Sequence, residues 1–412
     1  MDVPSYDGSV PSKRSRGYAI FALYLATVSV FSDMYVTQPI LPQLARDFAV
    51  SPAIAGGTIS AVVLTVALSS AFYGPLSEML GRRRIMVWGA AVVAVFTVGC
   101  AIAPSFLTLL VLRALQGLFV PSVSALAVAY IYEGLDAEKP AAVVGGYIAS
   151  SVVGGLCSRV LGGVIADAYG WRMSFVCFGV FTLVGAVALA LTVRDSAKVT
   201  ERRAEHDLVE LYRGMFRHLR DIRLVAAFII GAALFFGFVG IFTYLPFYVT
   251  AKPFDLSTST ISWLYLSYVA GAAVSPVAGR MVGRFSHQML MGIGLVVAIA
   301  GMALSLVPTL AMVVASLVVL CAGMFIAQPI APTYVTATAT SAKGSAAALY
   351  QSFYYLGAVF GSLLPGFAWE SWGWPGVVAT CIAAFVVALF ANALLCGRRR
   401  PTRAIDEPAF GV

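Results

Sequence analysis

Charged side chains make up only 11% of this 412-residue chain, against roughly 25% in soluble domains, while hydrophobic residues reach 60%. A water-soluble globule is excluded on that ground. Histidine is nearly missing: His206, His218 and His287 all fall in polar connections, so no imidazole is available for chemistry inside an apolar segment. The six cysteines, Cys100, Cys157, Cys177, Cys321, Cys381 and Cys396, lie within or at the end of apolar runs. They lack disulfide or metal-ligand spacing, which makes them packing residues. No Gly-x-x-x-x-Gly-Lys-Ser/Thr phosphate loop is present, which argues against nucleotide-driven transport. Without a His/Asp or Cys/His set in the apolar runs, an enzyme is not expected, and nothing calls for a metal or cofactor. A cleavable leader is not expected either, because Met1 to Arg16 is polar and runs straight into a full spanning length.

Apolar runs are what the chain has in plenty. About 20 consecutive apolar residues cross a bilayer, and twelve such runs predict an all-α integral membrane protein. They are expected near 18–42, 51–73, 85–103, 105–132, 140–166, 173–193, 224–250, 257–279, 288–308, 310–336, 344–368 and 374–396. A net charge of +8 invites a nucleic-acid partner, but its distribution points elsewhere. Arg46, Arg172 and Lys252 fall on one side and Arg113 and Arg159 within spans; the other 22 of 27 basic residues lie in alternate loops and the two tails. Positive charge is retained on the cytoplasmic side. The expected placement is therefore a bacterial inner membrane crossed many times, with both termini cytoplasmic and no nucleic-acid partner.

The one long hydrophilic interruption, 194–223, divides the chain. Within it Leu208, Leu211, Tyr212, Met215, Phe216 and Leu219 recur at helical spacing between arginines, predicting an amphipathic helix at the membrane surface. The plan is then a tail (1–16), a six-helix bundle (17–193), this linker (194–223), a second six-helix bundle (224–396) and a tail (397–412). The bundles repeat each other. Tyr147, Gly154, Gly163, Gly170 and Trp171 recur at an offset of 203 as Tyr350, Gly357, Gly366, Gly373 and Trp374. Parallel repeats of this kind are a known transporter design.

Charges inside the spans cost roughly 2.5–3.5 kcal/mol each on insertion scales and ask for a reason. Asp33 and Arg113 are expected roughly 12–13 Å from the outer ends of spans 1 and 4, and Arg159 roughly 10 Å from that of span 5. Burial opposes the charge on an acid and a nearby arginine favours it, so Asp33 is the candidate proton carrier, with Arg113 its counter-ion. A static ion pair orienting spans 1 and 4 is the alternative. Gln38 and Gln328 each precede a proline, which frees a helix carbonyl that the amide could meet. Phe235, Phe236, Tyr244, Trp263, Tyr265, Tyr268, Tyr350, Phe353, Tyr354 and Tyr355 are candidates for an aromatic cargo wall. Gly74-Pro-Leu-Ser-Glu-Met-Leu-Gly-Arg-Arg-Arg84 lies between spans 2 and 3, where Gly74 and Gly81 permit a close turn.

That stretch resembles the Gly-x-Leu-x-Asp-x-x-Gly-Arg-Arg loop of major facilitator superfamily transporters, with Glu78 in the Asp place. Leu110-x-x-Arg113-x-x-Gln116-Gly117 is similar to the superfamily's helix 4 motif, whose arginine is implicated in proton coupling. Asp33-Met34 with Gln38-Pro39 resembles the helix 1 signature of its drug/proton antiporters. Gly154-x-x-x-Ser158-Arg159-x-x-Gly162-Gly163 has the antiporter glycine spacing in helix 5, but Ser158-Arg159 replaces the usual Gly-Pro. With Tyr354-Tyr355-Leu356-Gly357, this departure looks like the YnfM-type bacterial exporters. The resemblance covers about 18–396 and implies two pseudo-symmetric bundles around a central cavity. It also implies that the basic loop latches the halves: Glu78 at the start of helix 11 near Gly344-Ser345, with Arg82 and Arg83 beside it. A pairing of Arg82 with Glu133 is inferred from topology.

The expected function is proton-coupled export of small, mostly apolar molecules by a monomer, with small-molecule cargo, protons and the bilayer as its partners. Asp33 and Arg113 carry the coupling. Arg159, Gln38, Gln116, Tyr244, Gln328, Tyr354 and Tyr355 serve gating or cargo. The alternatives are proton-coupled uptake of a metabolite or organic anion held by Arg113 or Arg159, and a non-transporting sensor on a transporter scaffold.

Overall fold

Hydroxyls start many of the helices. Ser51, Ser105, Ser257, Ser286 and Thr309 each accept a backbone N–H three residues on, satisfying a donor that a helix start leaves unpaired. The computed structural model describes residues 13–133, 135, 139–193, 217–282, 284–340 and 342–397. Among them, eleven helices are long and apolar enough to cross a membrane. The last, Lys343–Cys396, bends at Gly373 (φ 60°, ψ −145°), and its 54 residues, roughly 80 Å of helix, hold two crossings. The twelve spans are Lys13–Tyr35, Pro52–Leu80, Arg82–Ala101, Phe106–Tyr132, Pro140–Tyr169, Trp171–Thr192, Ile222–Thr250, Thr258–Met281, His287–Leu304, Leu310–Thr338, 343–372 and 374–396. They are numbered 1 to 12 below. Residues 194–216, with most of the expected amphipathic helix, lie outside the described residues, as does the basic tail from 398.

Consecutive spans run antiparallel, so connections alternate between two faces. The near face carries both ends of the described chain and the turns at 80–82, 281–287 and 338–343; the far face carries 40–52, 101–106, 169–171, 250–258, 304–310 and 372–374. In the first half span 1 packs on spans 5 and 6, span 2 on span 4, and span 3 on span 6. In the second half span 7 packs on span 11, and span 10 on spans 8 and 9. Between halves, span 2 lies along span 11 and span 5 meets span 8, the two contacts a pseudo-twofold axis requires.

The repeated glycines do matching work. A Cβ on Gly154 would overlap the backbone of Val28, and one on Gly357 the backbone of Ala232, so each lets span 5 or 11 press on span 1 or 7. Gly163 faces Ser262 across the halves, and Gly366 faces Ala53 across the halves in the reverse sense. Gly170 and Gly373, both at positive φ, turn into Trp171 and Trp374, which are equally buried.

Three boundaries differ from expectation. Span 1 stops at Tyr35 rather than near Pro42, because Pro39 has no N–H to continue the ladder; turns follow, then a short helix, Leu41–Asp47. Span 2 continues through Gly74 and Pro75 to Leu80, so the stretch 74–80 is helix and not loop. Only Gly81 turns the chain, at φ 89° and ψ 132°, a conformation that favours glycine. Span 4 is broken into Phe106–Phe119, Pro121–Ser124 and Ala127–Glu133, with Pro121 at the first break.

Candidate functional site

The break in span 1 exposes backbone carbonyls that no following N–H can reach, and span 4 answers them. Arg113, fully buried, donates from Nη1 to the carbonyl of Asp33 (2.6 Å), from Nη2 to that of Met34 (2.6 Å) and from Nε to that of Thr58 (3.4 Å). Nη1 also donates to Gln116 Oε1, and Gln116 Nε2 donates to Thr97 Oγ1 at 2.6 Å. The expected pairing of Arg113 with the Asp33 carboxylate is therefore corrected. The guanidinium holds the backbone of Asp33, not its acid group.

The carboxylate turns the other way, into the first half. Asp33 is fully buried; Oδ2 accepts from Thr182 Oγ1 of span 6 at 2.7 Å, and Oδ1 has no hydrogen-bond partner. Thr97 of span 3 lies alongside. Asp33 thus faces spans 3 and 6 and does not line the gap between halves. Taking an ionised carboxylate out of water costs several kcal/mol, and one hydroxyl with a neighbouring guanidinium is modest compensation.

Arg159 occupies the boundary between halves. It is 4% exposed; its Cζ lies 3.9 Å from the ring centre of Tyr35, 4.8 Å from Tyr268 and 5.9 Å from Tyr265. Its Nε donates to Gln38 Oε1, and Nη1 donates to the carbonyl of Gly155 at 2.7 Å. Gln38 reaches the second half as well, donating from Nε2 to Thr243 Oγ1 at 3.4 Å. Neither Gln38 nor Gln328 returns to a helix carbonyl: Gln328 Nε2 donates to the Tyr354 hydroxyl at 2.8 Å.

Tyr354 stacks on Phe235, ring centres 4.1 Å apart, with Tyr350 and Tyr355 at 6.1 and 6.2 Å. Rings of both halves meet at Arg159 instead, Tyr35 from the first and Tyr268 and Tyr265 from the second. Tyr244 is part of neither group. Its hydroxyl donates to the Ser362 carbonyl at 2.8 Å, within the seam where Gly56 and Gly366 let spans 2, 7 and 11 meet. Trp263, expected as a wall residue, is half exposed on the outside of span 8.

The halves are joined toward the far face. Gln43 donates to Thr258 at 2.9 Å, Ser60 and Ser362 share a hydrogen bond at 2.6 Å, and Ser262 fills the space beside Gly163. Toward the near face Glu78, Ala141, Gly145, Arg280 and Gly344 are exposed, and nothing lies within 4 Å of a Cβ built on Gly145 or Gly344. The expected contact of Glu78 with the start of span 11 is not made here. Arg83 instead donates to the carbonyl of Ala190 in span 6, at 2.8 Å. The Glu133 side chain lies outside the described residues, and with it the Arg82–Glu133 pairing.

Sequence reasoning passed over Tyr35, Thr97 and Thr182. Tyr35 stands two residues from Asp33, and Thr97 and Thr182 are hydroxyls within apolar runs, but their convergence is a matter of packing.

The Major Facilitator Superfamily profile matches residues 23–263 and 250–411. The chain belongs to the major facilitator superfamily. It is 30% identical over 380 residues to the inner membrane transport protein YnfM of Escherichia coli K12, covering 92% of this chain and 89% of that protein. It is also 30% identical over 376 residues to an uncharacterized MFS-type transporter, YybF, of Bacillus subtilis 168, covering 91% and 92%. Among solved structures it resembles a bacterial homologue of the human lysosomal transporter Spinster, in an inward-facing, unoccupied conformation. The TM-score is 0.80 at 17% identity, over 95% of this chain and all of that one. Two six-helix bundles of this superfamily make the protein a multi-pass membrane transporter.

Proposed function

We propose that the protein is a proton-coupled exporter that carries small, largely apolar molecules across a bacterial inner membrane by alternating access. The observation that carries the reading is Asp33: an acid with no exposure, one oxygen without a partner, and no ion pair among the described residues. A carrier must gain and lose charge at little structural cost, and a carboxyl held by one hydroxyl can do both. Its backbone leads directly to the boundary. Asp33 is followed by Tyr35, against Arg159, and by Gln38, which bonds Arg159 and Thr243 of the other half. A change of charge at Asp33 acts on the broken end of span 1, and that end is a seam between halves.

The basic loops lie on the near face, so the positive-inside rule makes that face cytoplasmic, both termini cytoplasmic, and this conformation open to the cytoplasm. Each chain holds both halves of the pathway, which fits a working monomer. The test is transport by inverted membrane vesicles under an imposed pH gradient. Accumulation driven by an acidic vesicle interior supports export by antiport. Accumulation driven only by the opposite gradient supports uptake by symport, and saturable binding indifferent to any gradient supports a sensor.

A further inference from the structure

Two guanidinium groups are buried among the spans, and their surroundings differ. Arg113 directs every nitrogen at an acceptor of its own half: three backbone carbonyls and the Gln116 amide. Arg159 stands at the boundary, spends Nε on Gln38 and Nη1 on Gly155, and rests against the rings of Tyr35, Tyr268 and Tyr265. Among the described residues no carboxylate pairs with it. A buried cation without an anion is costly, and aromatic faces offset only part of that cost. Arginine remains charged at any physiological pH, so it cannot relieve the burial by losing its proton.

The surroundings describe what would complete it. A guanidinium offers parallel N–H donors in a fixed plane, which a carboxylate meets with two oxygens. With rings lying over the guanidinium, a carboxylate would have to meet it along its edge, where Gln38 and Gly155 now bond. The second half supplies flat apolar surface: Phe238 packs on Tyr268 at 4.9 Å, and about one helical turn away in span 7 Phe235 stacks on Tyr354, whose hydroxyl is fixed by Gln328. Arg159 itself joins the two halves, lying over Tyr35 of the first and Tyr268 of the second.

We propose that Arg159 is an anion subsite, and that the cargo is a small aromatic acid: one carboxylate for the guanidinium of the first half, one planar apolar body for the aromatic wall of the second. The proposal rests on the transport reading above and names its substrate class. Because each half recognises a different part of the cargo, occupancy by the acid bridges the halves, and a cargo lacking either part does not. Binding also competes for the guanidinium with Gln38, whose other bond goes to Thr243. The acid therefore loosens one link of the far-face seam as it binds.

The experiment uses the full chain purified in an uncharged detergent. Binding is read as thermal stabilisation and by calorimetric titration with benzoate, phenylacetate, salicylate and 1-naphthoate, each beside its neutral amide. At least one acid is expected to bind about ten- to a hundredfold more tightly than its amide, the range that a hydrogen bond to a charged group supports. Arg159→Gln is expected to abolish the preference for acid over amide. Arg159→Lys, which keeps the charge and loses the fork, retains part of it and guards against a Gln variant that fails to fold. Acid-selective binding that depends on Arg159 but gives no response to a pH gradient in vesicles supports the subsite and removes the proton coupling. Gradient-driven transport of the neutral amides without preference for acids leaves the coupling standing and overturns the subsite. No acid binding above its amide in the unaltered chain, or a preference unchanged in Arg159→Gln, also overturns it.

Discussion

Asp33 and Arg113 meet through the Asp33 carbonyl and not through a direct ion pair, and the two residues therefore separate in their expected phenotypes. In Asp33→Asn the side-chain oxygen can still accept from Thr182, so folding and cargo binding are expected to persist while gradient-driven transport is lost. Transport assays beside a melting curve in detergent check this; wild-type active transport by the Asn variant removes Asp33 from the coupling. Arg113→Lys should behave differently. An ammonium cannot reach the carbonyls of Asp33, Met34 and Thr58 together, and each carbonyl left unpaired in the interior costs about 1–3 kcal/mol. A clear fall in melting temperature is expected, with partial loss of transport following from it. A Lys variant as stable as the unaltered protein contradicts this assignment. That both charges are buried was legible from their depth in apolar runs. Their arrangement was not, because spacing along a helix places a residue at a level but says nothing of where an unwound turn will point its carbonyls.

At the scale of the spans, the 203-residue repeat made the two bundles legible, and the matched glycines show what it preserves. Gly357 presses on the backbone of Ala232, and Gly74 faces open space in the last two turns of span 2. Opposite outcomes are expected from one substitution. Gly357→Ala forces overpacking and should destabilise by about 1–3 kcal/mol, whereas Gly74→Ala improves helix propensity and should stabilise by about 0.5–1 kcal/mol. Paired melting curves of the two variants decide it, and destabilisation by Gly74→Ala contradicts the helical reading of 74–80. The basic turn illustrates the limit of pattern: its two glycines look alike in sequence, but only Gly81 has a positive φ. Helix ends were likewise misplaced at Tyr35, since apolar residues continue past the point where Pro39 ends the hydrogen-bond ladder.

For the whole molecule, the halves share hydrogen bonds toward the far face while seam residues at the near face are exposed, an arrangement that fits one of the two states alternating access requires. Glu78 is exposed in this state and free to meet the start of span 11 in the other. Glu78→Lys replaces attraction to a helix N-terminus with repulsion, each worth about 0.3–1 kcal/mol. A total of about 0.6–2 kcal/mol shifts the population roughly three- to thirtyfold toward the state open at the near face. Cargo affinity in a locked conformer should stay unchanged while turnover falls; unaltered turnover contradicts the latch. The division into halves could be read from the hydrophilic linker and the repeat. Which face is parted could not, because both states use the same spans.

The central claim is that the charge on Asp33 drives this exchange, and spans 5 and 8 offer the means to watch it. Exposed Ala141 and Arg280 mark their near-face ends, and Ala168 and Thr260 their far-face ends. Spin labels on each pair, measured by double electron–electron resonance in liposomes, report the two gates separately. On lowering the pH from 8 to 5, one distance is expected to lengthen as the other shortens in the wild-type background, and neither to respond in Asp33→Asn. Two distances that change together, or a pH response that survives in Asp33→Asn, contradict the account.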